Sequence, residues 1–324
     1  MKNSSVDWHE YFNTNSNGWL KEAYKDADYS YPVGYNRLRI LKKILGKYNL
    51  KDKKILDIGC GGGDISLYLV SQGAVVDGID MSESMLQVAN ERRNLLVESE
   101  KKKIKFWKAN FTELDDGIKD KKYDFVIAFG LIGYLESDEQ FLEGVNNISK
   151  PGTILIFSCR NRLFNITSVT SNTIKEIESN NAKKLIEEIE EYYQDELPIE
   201  KSREFISKIY ESVSILNDTV NTLNVSNQKM AVPSYQPGTS PNQPRQSTPR
   251  DICETALEYG FQNIKLYGVH PHLLLPRMNK MLPPRVFNVL SDALCAFEDE
   301  SISLIYSSVF IGEFSKGVIK DIAE

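Results

Sequence analysis

Between Lys54 and Cys159 the chain alternates two rhythms. KILDIG, AVVDGID, IKFWKAN, YDFVIAFG and TILIFSC are short apolar runs bounded by glycine or polar residues. Such runs read as strands buried on both faces. The segments between them have a helical period instead. DISLYLVSQG is closed by Gly73, and SESMLQVANERRNLL opens on Ser82 with Met85, Leu86 and Ala89 on one side. SDEQFLEGVNNIS is a third such segment. Strand–helix alternation predicts right-handed crossovers and a mostly parallel sheet. Ligands in such sheets bind at the carboxyl ends of the strands.

The flanks have a different character. Residues 1–50 read as helical and amphipathic, with Leu38, Leu41 and Leu45 at helical spacing. Residues 160–248 contain no convincing strand: 174–196 is a highly charged helical stretch, another helical segment follows Pro198, and 232–250 is rich in Pro, Ser, Gln and Gly. The αβ rhythm resumes at Thr248-Pro249, a helix start, with a stop at Gly260. IKLYGVH and LIYSSVFIGEF then supply two further strands. The expected fold is α/β: a doubly wound, mostly parallel seven-stranded sheet with a largely helical cap inserted in it. The expected division is an N-terminal helical lid (1–50), an α/β domain (51–160 and 248–324) and a helical cap (161–247).

Composition narrows the function. The 324 residues carry 45 acidic and 39 basic side chains, a net charge of -6, which argues against a nucleic-acid partner. No apolar stretch approaches the roughly 20 residues of a membrane span. The start, MKNSSVDWHEYF, lacks the apolar core of a signal peptide, so a cytoplasmic location is expected. None of the four cysteines stands in a CxxC pair, so free thiols and no metal site are expected.

The chemistry concentrates in Leu56-Asp57-Ile58-Gly59-Cys60-Gly61-Gly62-Gly63-Asp64, where a strand feeds a glycine turn that opens a helix. Glycines allow positive φ and close approach of a ligand, and the helix start offers free N–H groups. In a dinucleotide G-x-G-x-x-G register beginning at Gly59, Asp64 takes the last position, and its carboxylate would repel a pyrophosphate.

The segment resembles motif I of the class I, Rossmann-like S-adenosylmethionine-dependent methyltransferases, with Asp57, Gly59, Gly61 and Gly63 in place and Cys60 between them. The resemblance covers about residues 50–160 and, more weakly, 248–314. It implies S-adenosyl-L-methionine as cofactor and S-adenosyl-L-homocysteine as product. It places Asp80 on the ribose hydroxyls, Met81 against the adenine face, and Asn110-Phe111 at the adenine edge, where many members carry Asp. Phe129-Gly130 falls near the methionine end. Tyr31 and Arg37 are candidates for the methionine carboxylate, Arg37 through its bidentate fork.

Methyl transfer from a sulfonium needs alignment and exclusion of water. A base is needed mainly when the acceptor is a hydroxyl. His270 and His272, directly after the sixth strand, are candidate bases because histidine titrates near neutrality; Tyr134 is a candidate pocket wall. Arg160, Arg162 and Arg250 are candidates for a phosphorylated or nucleotide-linked acceptor, and their segments resemble bacterial sugar or surface-polysaccharide methyltransferases. The acceptor pocket is expected within 160–250 and 270–300. The expected function is methyl transfer to a small-molecule acceptor, O-methylation favoured. N-methylation of a small molecule and non-catalytic cofactor binding stand as alternatives, and the oligomeric state is left open.

Overall fold

The computed structural model describes residues 33–209, 244–272, 274–276 and 284–317. Seven strands form one sheet: β1 Lys54–Ile58, β2 Val75–Asp80, β3 Ile104–Lys108, β4 Tyr123–Phe129, β5 Ser149–Arg160, β6 Phe261–Val269 and β7 Val309–Lys316. Their order is β3-β2-β1-β4-β5-β7-β6. β1 to β5 are parallel, while β7 runs antiparallel to both β5 and β6.

Strand periodicity explains the two cores. Leu56, Ile58, Val126, Ala128, Leu155, Phe157, Phe310 and Phe314 bury into one face with Phe141 and Leu142 of the helix Asp138–Ile148 and Ile252 of the helix Pro249–Glu258. Their alternating neighbours, Ile55, Phe125, Ile127, Ile156 and Ile311, bury into the other face with the helices Val33–Leu45 and Asp64–Ser71. Successive side chains of a strand point to opposite faces, so a sheet covered on both sides requires apolar residues at every position. The predicted caps form: Ser82 accepts the Met85 N–H at 3.3 Å and Thr248 accepts the Asp251 N–H at 3.0 Å.

The structure departs from expectation in two places. The helix Val33–Leu45 is core rather than part of a lid: Ile40, Leu41, Ile44 and Leu45 are buried against the sheet. At its far end, Glu313 on β7 accepts from Tyr48 Oη (2.7 Å), Tyr267 Oη (2.6 Å) and Lys47 Nζ (3.0 Å). Second, residues expected to begin the last strand form a helix, Ser301–Tyr306, and β7 starts only at Val309. Leu304 and Ile305 are buried in different clusters, a helical use of apolar residues that sequence alternation does not distinguish from a strand.

The insertion is helical where described, with helices Phe164–Thr167, Ser171–Glu178, Ala182–Tyr193 and 199–209. It is fastened to the α/β domain. Leu163, Leu185 and Ile189 pack on Ile305, and Glu188 accepts the Arg250 N–H at 2.9 Å.

Candidate active site

Strand order reverses between β1 and β4, so their carboxyl ends flank the crevice where such sheets bind ligands. The glycine loop follows β1 there. Gly59, Gly61 and Gly63 have φ of 69°, 51° and 82°, a region costly for other residues. Gly59 and Cys60 donate to Ile79 O at 2.8 and 3.0 Å, which ties the loop to β2. The three glycines differ in what they face. A Cβ on Gly61 would meet nothing within 4 Å, and one on Gly59 only Leu131, at 3.9 Å. A Cβ on Gly63 would lie 2.9 Å from the Phe106 ring. Gly59 and Gly61 therefore open onto the crevice, whereas Gly63 is required by packing and by its place at the helix start.

Asp57 lies beneath this loop, 1% exposed, and accepts from Ser66 Oγ at 2.6 Å. Burial pushes its carboxyl up to about 7, with the charge of Asp80 adding to the rise and the Ser66 bond opposing it. Asp57 thus supports the loop from below. Cys60 is also buried, and burial raises its thiol well above the ordinary range. Asp80, at the end of β2, accepts the Gly61 N–H at 2.9 Å and the Ser82 N–H at 2.8 Å. Met81 beside it is 45% exposed.

Arg92 was not singled out in the sequence, and it braces the loop from outside. It donates to Gly62 O at 3.0 Å and pairs with Asp64 at 2.9 Å. Gly78 was equally silent: its missing Cβ makes room for Phe106 and the Cys60 thiol.

Of the other expected residues, some reach the crevice and some do not. The Asn110 carbonyl oxygen accepts the Thr112 N–H at 3.1 Å, capping a short turn. Phe111 is buried against Gly144 and Phe141, a core position rather than a cofactor wall. Phe129 is half-buried at the end of β4, and Gly130 (φ 73°) donates to Ser158 Oγ at 2.9 Å. Arg37 reaches this corner: a Cβ on Gly130 would lie 3.4 Å from its Nη1. Tyr134 is half-buried in the turn after β4. Tyr31 lies outside the described residues.

His270 and His272 do follow β6 at the same sheet edge, but both are buried, 1% and 3% exposed, with rings 5.6 Å apart. Burial pulls His270 down to about 4, with Arg39 contributing, and His272 down to about 3, with His270 contributing. Both are neutral at pH 7, and so weak a base is poorly matched to deprotonating a hydroxyl. Arg162 and Arg250 are committed to carboxylates of the insertion, Arg162 to Glu176 (3.0 and 2.7 Å) and Arg250 to Glu191 (2.6 Å), rather than left for a phosphate. Arg160 is exposed at the end of β5.

An apolar cavity of about 380 Å³ lies beyond the end of β6, lined by Leu197, Phe205 and Ile206 of the insertion and by Pro271, Phe297 and Tyr306. Among the described residues no cluster of His, Cys, Asp and Glu suits a metal, and no helix is long and apolar enough to cross a membrane. All four cysteines are free.

Comparison with known proteins agrees with this geometry. The model of a methyltransferase-domain family matches residues 49–214, about half of the chain. The chain belongs to the class I S-adenosylmethionine-dependent methyltransferase family. Among curated members it is 33% identical over 125 residues to the ubiquinone biosynthesis O-methyltransferase of Coxiella burnetii, covering 38% of this chain and 50% of the relative. It is 34% identical over 158 residues to the Rickettsia bellii protein of the same name, covering 47% and 61%. The matches thus span only half to three-fifths of these relatives. Two solved structures share the fold at low identity. Magnesium protoporphyrin IX methyltransferase of Synechocystis PCC 6803, with bound S-adenosylhomocysteine, superposes with a TM-score of 0.52 at 15% identity over 96% of this chain and 98% of its own. Phosphoethanolamine N-methyltransferase 2 of Haemonchus contortus, in complex with S-adenosyl-L-methionine, gives 0.54 at 16% over 98% and 62%.

Proposed function

We propose that this methyltransferase-family protein transfers a methyl group from S-adenosyl-L-methionine to a small-molecule acceptor, with oxygen as the favoured acceptor atom. The observation that carries the cofactor is the open side of the glycine loop. Gly59 and Gly61 leave free space directly beside a carboxylate, Asp80, whose oxygens already orient Gly61 and Ser82. That arrangement fits a vicinal diol: two acceptor oxygens at the end of β2, backbone that a nucleoside can approach, and the exposed Met81 as a surface for a base. Arg37, whose Nη1 stands beside Gly130, is the residue proposed to meet the cofactor's carboxylate. When bound, the cofactor supplies an activated methyl on a sulfonium. The protein's part is then to bind, orient and exclude water.

Oxygen is favoured because the curated relatives are named O-methyltransferases. The proposed acceptor enclosure is the helical insertion with the segment after β6. No base is assigned among the described residues, since His270 and His272 are buried and weakly basic.

Calorimetric titration with S-adenosylhomocysteine tests the cofactor. Wild type is expected to bind at micromolar concentration and Asp80→Ala to lose at least tenfold in affinity. Absence of binding to wild type would overturn the proposal. Binding by a protein that methylates nothing in a panel of phenols, amines and carboxylates would favour a non-catalytic cofactor-binding role.

A further inference from the structure

Where the chain returns from the insertion, Arg245 closes onto the loop after β4. Its N–H donates to Gly133 O at 2.8 Å. Its guanidinium donates to Asp138 Oδ1 and to Ser247 Oγ, each at 2.7 Å. Ser247 Oγ donates to the same Asp138 oxygen at 2.7 Å. Longer contacts of 3.4 Å reach the carbonyls of Leu135 and Ile132. Asp138 is 7% exposed and stands in the first turn of its helix, where the helix dipole favours a carboxylate. The fit is tight, since a Cβ on Gly133 would lie 2.9 Å from Pro244 Cβ and 3.0 Å from Arg245 O.

The clamped loop borders the crevice. Leu131 lies over Gly59, and Gly130 lies beside Arg37. The return segment is also tied to the end of β5, with Ser247 N–H donating to Arg160 O and Arg162 N–H to Ser247 O. A partly buried charge pair with several hydrogen bonds, its side chains 26% and 10% exposed, is costly to break from one side, because the remaining charge loses its partner. Arg245 therefore sets where residues 130–135 stand relative to the glycine loop.

We propose that Arg245, through Asp138, is a positioning residue that holds the loop 130–135 against the return of the insertion and so fixes the wall facing Gly59 and Gly61. It touches no reacting atom. The assignment rests on the reading of the crevice as the cofactor site.

Titration with S-adenosylhomocysteine, together with hydrogen exchange at the Tyr134 and Leu135 amides, tests it. Arg245→Met is expected to weaken binding about tenfold, and Arg245→Lys, which keeps a charge for Asp138, to recover part of the loss. Adding Asp138→Asn to Arg245→Met should cost little more than Arg245→Met alone, since one interaction has already gone. Tyr267→Phe, remote from the loop, should bind as wild type, which separates positioning from general destabilisation. Wild-type affinity in Arg245→Met would overturn the proposal. If the wild type itself binds no S-adenosylhomocysteine, the cofactor reading fails; exchange at Tyr134 and Leu135 still decides the clamp, faster in Arg245→Met supporting it and unchanged overturning it.

Discussion

Gly78 stands in β2 between Asp57 on β1 and Phe106 on β3, and replacing it with alanine tests how the glycine loop is supported. A Cβ there would lie 2.6 and 2.8 Å from two atoms of the Phe106 ring and 3.1 Å from Cys60 Sγ. Carbon atoms normally rest about 3.5–4.0 Å apart. Were the space open, one buried methyl would add about 0.8 kcal/mol of stability. The ring is hemmed on one side by Gly63, where a Cβ would lie 2.9 Å from it. Overlap therefore wins, and Gly78→Ala is expected to destabilise by about 1–3 kcal/mol, the usual cost of overpacking. For a chain of this size that lowers the melting temperature by roughly 1.5–4.5 °C. Thermal unfolding followed by far-UV circular dichroism measures it. Phe106→Leu introduced into the alanine variant should restore part of the loss. A Gly78→Ala protein that melts at or above wild type, or a double variant that loses the sum of both single effects, would refute the steric argument.

Two further predictions concern buried carboxylates of opposite sign. Asp57 ionises near the ordinary value of about 4 when unfolded but is raised to about 7 when folded, so the folded state holds the extra proton between those values. Its contribution therefore falls as pH rises from 4 to 7, by up to about 1.4 kcal/mol per pH unit, and Asp57→Asn should flatten that limb in urea unfolding at pH 5 and 7.5. Glu313 behaves conversely: burial is outweighed by its bonds to Tyr267, Tyr48 and Lys47, its carboxyl is lowered, and its stabilisation is lost as pH falls through the lowered value. Glu313→Ala should cost about 2–4 kcal/mol at pH 7 by stranding the two hydroxyls, and a loss below 1 kcal/mol would contradict the assigned network.

The local pattern determined the strands, apart from where the last one starts, their mostly parallel character, the glycine turn and the acidic residue that closes β2. These depend on periods of two and 3.6 residues and on glycine's access to positive φ, all of which act over a few positions. Tertiary structure decided which side chains remain available at the site. Asn110 has the expected place in the chain, and its oxygen also caps Thr112. His270 and His272 reach the expected edge, where surrounding atoms bury them and depress their basicity. Arg162 and Arg250 find Glu176 and Glu191 within the insertion. The helix from Val33 carries an amphipathic pattern that suits either a lid or a core, and only its contacts with the sheet select the core. Arg245 meets Asp138 across 107 positions of sequence. Hydrogen bonds and burial of this kind depend on which distant segments the fold brings together, and no local spacing encodes that.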